Sequence, residues 1–213
     1  MTLEYQLLFS LALIHTVALA SPGPDFALVV KLATQAQRKT ALASAFGLAV
    51  AITLHTLLSL TGISLIIKSA ENIYIVVQLT GATYLAWMGL GAIREAIAHW
   101  RDHKQQIITT STRELSALQG FIRGLSTNLL NPKAMVFFIT LFSTLISPTV
   151  NLETKVAITL LMFLLSLIWF SFIALVLSKP KIQQKMQRAT PMINLITGLL
   201  FVSVSLVIIN GLF

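Results

Sequence analysis

Ser21-Pro22-Gly23-Pro24-Asp25-Phe26 interrupts the first long apolar stretch of the chain, and Asn131-Pro132-Lys133-Ala134 interrupts another in the second half. A proline inside a membrane segment removes a backbone donor, and the carbonyl it frees must find a partner away from lipid. Such breaks at corresponding places in two halves point to a transporter's binding site. Read locally, each is a helix start. Ser21 and Asn131 are good N-caps, and Pro22 and Pro132 suit the first helical position. Pro24 is tolerated there too, because first-turn amides lack intrahelical partners. Each start presents unpaired N–H groups and the positive end of a helix dipole, which suits an anion such as a carboxylate.

The sequence around these breaks is that of an integral membrane protein. Of 213 residues 56% are hydrophobic and 10% charged, with a mean hydropathy of +0.85, whereas soluble domains carry roughly a quarter charged residues. The net charge of +8 does not call for nucleic acid, because the cations gather in short gaps between apolar runs, as topology determinants do. With no cysteine, neither a disulfide framework nor a thiolate metal site can form. The first run ends in Ala18-Leu19-Ala20, like a signal-peptidase site. A signal would need a basic n-region, yet the one charge before Asp25 is Glu4, so this segment is expected to stay as a helix.

A spanning helix needs about 20 apolar residues. Six segments qualify, at 3–30, 41–67, 73–93, 120–146, 156–177 and 192–213, the first and fourth broken. Lys31, Arg38 and Lys39 occupy the first gap, Arg94, Arg101, Lys104, Arg113 and Arg123 the third, and Lys179, Lys181, Lys185 and Arg188 the fifth. Only Lys68 and Lys155 lie in the others. Twelve cations against two put the first, third and fifth gaps in the cytoplasm and both termini outside. The expected fold is an all-α polytopic membrane protein with six transmembrane helices in one domain, 1–213. Its halves are about 1–98 and 119–213, joined by a cytoplasmic linker at 99–118. Three crossings per half make any repeat inverted. Pro22 aligns on Pro132 with an offset of 110 residues, giving a 3+3 inverted repeat with helices one and four broken. Small residues at 41–51, Gly81, Gly89, Gly91 and the Gly120/Gly124 pair suit close helix packing, and such faces also permit a homodimer.

Asp25 is, apart from Glu4, the one acid in the first 70 residues. A carboxylate in a membrane segment is costly and usually functional. It could hold a substrate ammonium, carry a coupling proton or pair with Lys133; alternatively it merely complements a helix N-terminus. Lys133 is either a site cation or a snorkelling one. Asn128 either binds substrate or satisfies broken backbone. His15, His55 and Tyr84 lie inside segments one, two and three. The histidines suit a proton relay, a substrate ligand or a structural hydrogen bond between helices. His99 and His103 have i,i+4 spacing, but only Asp102 is near, so no metal site is expected. No cofactor is expected, and no nucleophile–base–orienter set suggests an enzyme.

Ser21-Pro22-Gly23-Pro24-Asp25 together with Asn131-Pro132-Lys133 resembles the lysine exporter (LysE/RhtB) superfamily of bacterial amino-acid exporters, over essentially the whole chain. Ile14-His15-Thr16-Val17-Ala18-Leu19 and Gly124-Leu-Ser-Thr-Asn-Leu-Leu130 are most similar to its threonine/homoserine exporter branch. The resemblance implies efflux of small amino acids across the bacterial inner membrane, driven by the proton gradient. It implies roles for Pro22, Gly23, Pro24, Asp25, Asn131, Pro132 and Lys133. One departure is the run Phe137-Phe-Ile-Thr-Leu-Phe-Ser-Thr, where many members have a phenylalanine-rich run ending in Pro-Gln. The alternative within the superfamily is inorganic-ion transport, which needs clustered carboxylates or imidazoles inside the membrane.

Overall fold

A computed structural model of the chain describes residues 4–21, 23–69, 71–101, 115–147, 149–176 and 180–212. All regular structure among them is α-helical: α1 (Tyr5–Ala20), α2 (Pro24–Gln35), α3 (Arg38–Ser69), α4 (Glu71–Arg101), α5 (Ala117–Leu129), α6 (Pro132–Leu145), α7 (Leu152–Val176) and α8 (Pro180–Asn210). Pro22, Asp102, His103, Lys104, Arg113 and Lys179, all weighed in the sequence, lie outside the described residues, as does most of the expected linker.

Both breaks fall where the prolines put them. α1 and α2 meet at 57°, and α5 gives way to α6 across Leu130 and Asn131. The first start needs a correction, however. Ser21 is the C-cap of α1, and Gly23 is the N-cap of α2 with Pro24 in its first turn. Pro24 has no amide to leave unpaired, so it takes the N1 role that the sequence gave Pro22. The second start is capped by Asn131, whose Oδ1 accepts from the Lys133 amide at 3.0 Å.

Among the described residues, four helices carry a stretch long and apolar enough to cross a bilayer: Arg38–Gly62, Ile75–Trp100, Leu152–Val176 and Arg188–Asn210. The bent pair α1–α2 makes a fifth if it counts as one span. The apolar stretch at 120–146 is divided between α5 and α6, of 13 and 14 residues. Each is shorter than the roughly 20 residues a crossing needs.

Small residues set how closely the helices approach. Gly120 and Gly124 of α5 lie against the Thr40 and Ser44 carbonyls of α3, and Gly47 of α3 lies against the Phe121 carbonyl. A methyl at Gly89 of α4 would sit 2.8 Å from the Gly198 carbonyl of α8, so backbone meets backbone there. Ser205 adds a hydrogen bond to the Ala82 carbonyl across that seam at 2.8 Å. These small-residue faces therefore close contacts within the chain. Large apolar side chains such as Trp87, Ile168 and Val207 lie outside, while His15, His55, Asn128, Asn131 and Ser166 are buried. That inversion of the soluble pattern fits a lipid surround.

Candidate functional site

A cavity of about 60 Å³ lies where the two breaks meet. Its polar wall comes from Ser21, Asp25, Asn128, Asn131 and Lys133, with His15 further along α1. Asp25 stands in the first turn of α2, and Lys133 in the first turn of α6. Each reaches the cavity because its helix starts there.

Lys133 ties the breaks together. Its Nζ donates to Ser21 Oγ at 2.8 Å, across 112 residues of sequence, and lies 5.8 Å from the centre of the Phe201 ring, within cation–π range. It lines the wall with Asp25, but no ion pair joins the two within 4.0 Å. Asn128 reaches across from α5, its Nδ2 donating to Asp25 Oδ2 at 2.8 Å. A carboxylate only accepts, so that bond fixes the amide orientation. Asn128 Oδ1 must then point elsewhere, and both it and Asp25 Oδ1 are buried without a partner. Two acceptor oxygens of the polar wall are thus left without a partner. The same wall carries the Lys133 ammonium and the first-turn residues Phe26 and Ala134, whose amides have no intrahelical partner.

Most of the remaining wall is aromatic, with Phe137 and Phe138 from α6, Phe170 from α7 and Phe201 from α8 beside Ala18, Leu19 and Ile52. Residues 133, 134, 137 and 138 share one face of α6, a periodicity legible in the phenylalanine run. Phe170 and Phe201 carry no local signal that separates them from ordinary core aromatics.

Three expected residues stand elsewhere. His55 does not line the cavity; its Nε2 donates to the Asn128 carbonyl at 3.2 Å, and its ring stacks on Phe138 with planes 7° apart. Tyr84 is half-buried on α4 and packs against the exposed Trp87, ring centres 5.6 Å apart, away from the cavity lining. Pro132 is exposed; it shapes the start of α6 and does not line the cavity. Ser21, Gly23, Pro24, Asp25, Asn128, Asn131, Lys133 and His15 do come together.

An all-helical, multi-pass membrane protein with a polar cavity at the meeting of two helix breaks has the layout of a membrane transporter. Residues 16–211 match the LysE type translocator family, and the chain belongs to that family. It is 33% identical to a threonine efflux protein of Salmonella typhi over 198 residues, 92% of this chain and 93% of that one. To the threonine efflux protein of Escherichia coli strain K12 it is 30% identical over the same shares. These likenesses place it in the threonine exporter branch of the LysE/RhtB superfamily. An uncharacterized membrane protein of Haemophilus influenzae is 23% identical over 97% of this chain and 98% of its own length. No solved structure matches the chain.

Proposed function

We propose that the protein is a secondary exporter of a small amino acid of the threonine or homoserine kind. It works across the bacterial inner membrane and is coupled to the proton gradient. The observation that carries this reading is the polarity of the cavity wall. Lys133 and two helix starts offer donors, while Asp25 Oδ1 and Asn128 Oδ1 offer open acceptors. A zwitterion complements both sets at once. Its carboxylate meets Lys133 and the first-turn amides, and its ammonium meets Asp25 and Asn128. Asp25 is the one carboxylate among the described lining residues. It binds the ammonium or a proton in turn, a competition that couples export to proton entry. The threonine named by the relatives fits this chemistry.

In the frame we favour, α1–α2 and α5–α6 each make one broken span, giving six crossings in a 3+3 inverted repeat. Helix packing supports it. α3 packs on α7 and α4 on α8, while α5 and α6 pack on α3 and α1 and α2 on α7. α2 packs on α3 and α6 on α4 as well, so the exchange is partial; a two-fold axis in the membrane plane accounts for the paired contacts, and rocking one half against the other gives alternating access. The cation distribution orients the termini outward. An inorganic-ion site is less well supported, since Phe138 stands between the two membrane histidines, 5.7 and 5.8 Å from their rings.

Efflux of threonine from preloaded cells is the test. Asp25→Asn is expected to abolish export while membrane abundance stays normal. Unchanged export would remove Asp25 from the mechanism.

A further inference from the structure

A pair of hydrogen bonds fixes the tautomer of His15. Ser166 Oγ on α7 donates its single proton to the Met162 carbonyl at 2.7 Å. It lies 2.9 Å from His15 Nε2, so towards the ring it can only accept. Nε2 therefore carries the imidazole proton, and Nδ1 is a bare acceptor. Nδ1 is buried without a partner, in a residue only 2% exposed that is among those lining the cavity. Phe137 and Phe138 flank that ring and have no hydrogen to donate. Leaving a buried acceptor unpaired is unfavourable; an occupant with a donor relieves it.

We propose that His15 Nδ1 accepts a hydrogen bond from a hydroxyl on the substrate side chain, and so selects hydroxylated amino acids over apolar ones of the same shape. Ser166 is the positioning residue that holds the ring in the accepting tautomer. The proposal rests on the amino-acid export reading and extends it. His15 precedes Ser21 by six residues, about 9 Å along a helix, which is close to the length of a small amino acid with a hydrogen bond at each end. With carboxylate and ammonium held at the breaks, the side chain points towards His15. Asp25 and Asn128 already offer acceptors for the ammonium, which leaves the His15 nitrogen for the side chain. A site built to hydrogen-bond a hydroxyl rejects the analogue lacking it far better than an apolar wall does.

Threonine and valine have nearly the same shape and differ by a hydroxyl, so their relative transport by the purified protein in liposomes reads the contact. His15→Leu keeps an apolar body without the acceptor. Its threonine-to-valine ratio is expected to fall roughly tenfold, chiefly through threonine. Ser166→Ala keeps the ring but frees its tautomer, and should lower the ratio by a smaller factor. An unchanged ratio in both variants, or parallel loss of both substrates in both, would overturn the proposal and leave His15 a structural or proton-handling role. Nitrogen NMR of labelled histidine in the His55→Gln background gives an independent readout in a protein that retains His15. Threonine should shift the His15 Nδ1 resonance and valine should not; equal shifts would also overturn it. Liposomes of the unaltered protein that move neither amino acid would overturn the export reading itself, an outcome distinct from a lost preference.

Discussion

At the second break Asn131 caps α6 with its own side chain, and the Asn128 carbonyl is taken by the Asn131 amide at 3.0 Å and by His55. At the first break α2 begins at Gly23 with no side-chain cap, and the Ser21 hydroxyl is turned towards Lys133 of the other break. The second break is satisfied by residues of its own loop and a neighbouring histidine. The first is completed by the second. A self-capped break is a fixed platform, whereas one finished by a lysine on another helix depends on where that helix stands. On the alternating-access reading proposed above, this difference assigns the movement to α1–α2, with α5–α6 as its reference.

The comparison breaks most severely at Lys133. Lys133→Met keeps a stem against Phe201 but removes the donors that join the breaks and face a substrate carboxylate. A hydrogen bond to a charged group contributes about 1.5–3 kcal/mol, so apparent affinity for threonine should fall roughly 10- to 100-fold. Lys133→Arg should recover part of it. The concentration dependence of efflux measures both. Normal affinity in the Met variant would mean that the breaks work independently.

A smaller effect separates the caps. Asn131→Ala removes the side-chain cap of α6 and should lower stability by about 1 kcal/mol, read as an earlier thermal transition in detergent. Ser21→Ala removes no cap, so its thermal transition should move less, while its export slows because Lys133 loses its anchor. The opposite order of thermal shifts would exchange the roles of platform and mover.

The positions of both breaks were legible because proline's missing amide and fixed φ act locally, and Asn131 caps a helix for equally local reasons. Ser21 was misassigned because Ser21-Pro22 and Gly23-Pro24 offer two equivalent starts in sequence. In the folded chain α2 starts at Gly23, and the Ser21 hydroxyl instead meets a lysine 112 residues away. The same non-locality hid Ser166 and Phe201, which matter only because α7 brings Ser166 to His15 and α8 brings Phe201 to the cavity. Tyr84 misled in the other direction: a polar group in an apolar run is notable in sequence, yet it is half-buried beside Trp87 and does not line the cavity. Hydropathy alone sums 120–146 into one stretch; Asn131-Pro132 marked the break inside it, where α5 ends and α6 begins.

The finest test falls on Gly23. Its φ of −175° is extended backbone open to any residue, and an added methyl would sit 3.7 Å from Lys133 Nζ, an ordinary contact. Gly23→Ala should therefore fit the resting structure. By restricting the unfolded chain it should stabilise the protein by about 0.4–1 kcal/mol, a thermal shift of a few degrees at most. If α1–α2 moves through this residue, the same restriction slows the exchange between access states. Turnover then falls while threonine affinity at equilibrium holds. Leu130, the C-cap of α5 in the second break, already has a side chain, and Leu130→Ala should leave turnover nearly unchanged. Equal slowing by both substitutions would mean that the two breaks bend together, and the asymmetry of their hydrogen bonds would then concern stability alone.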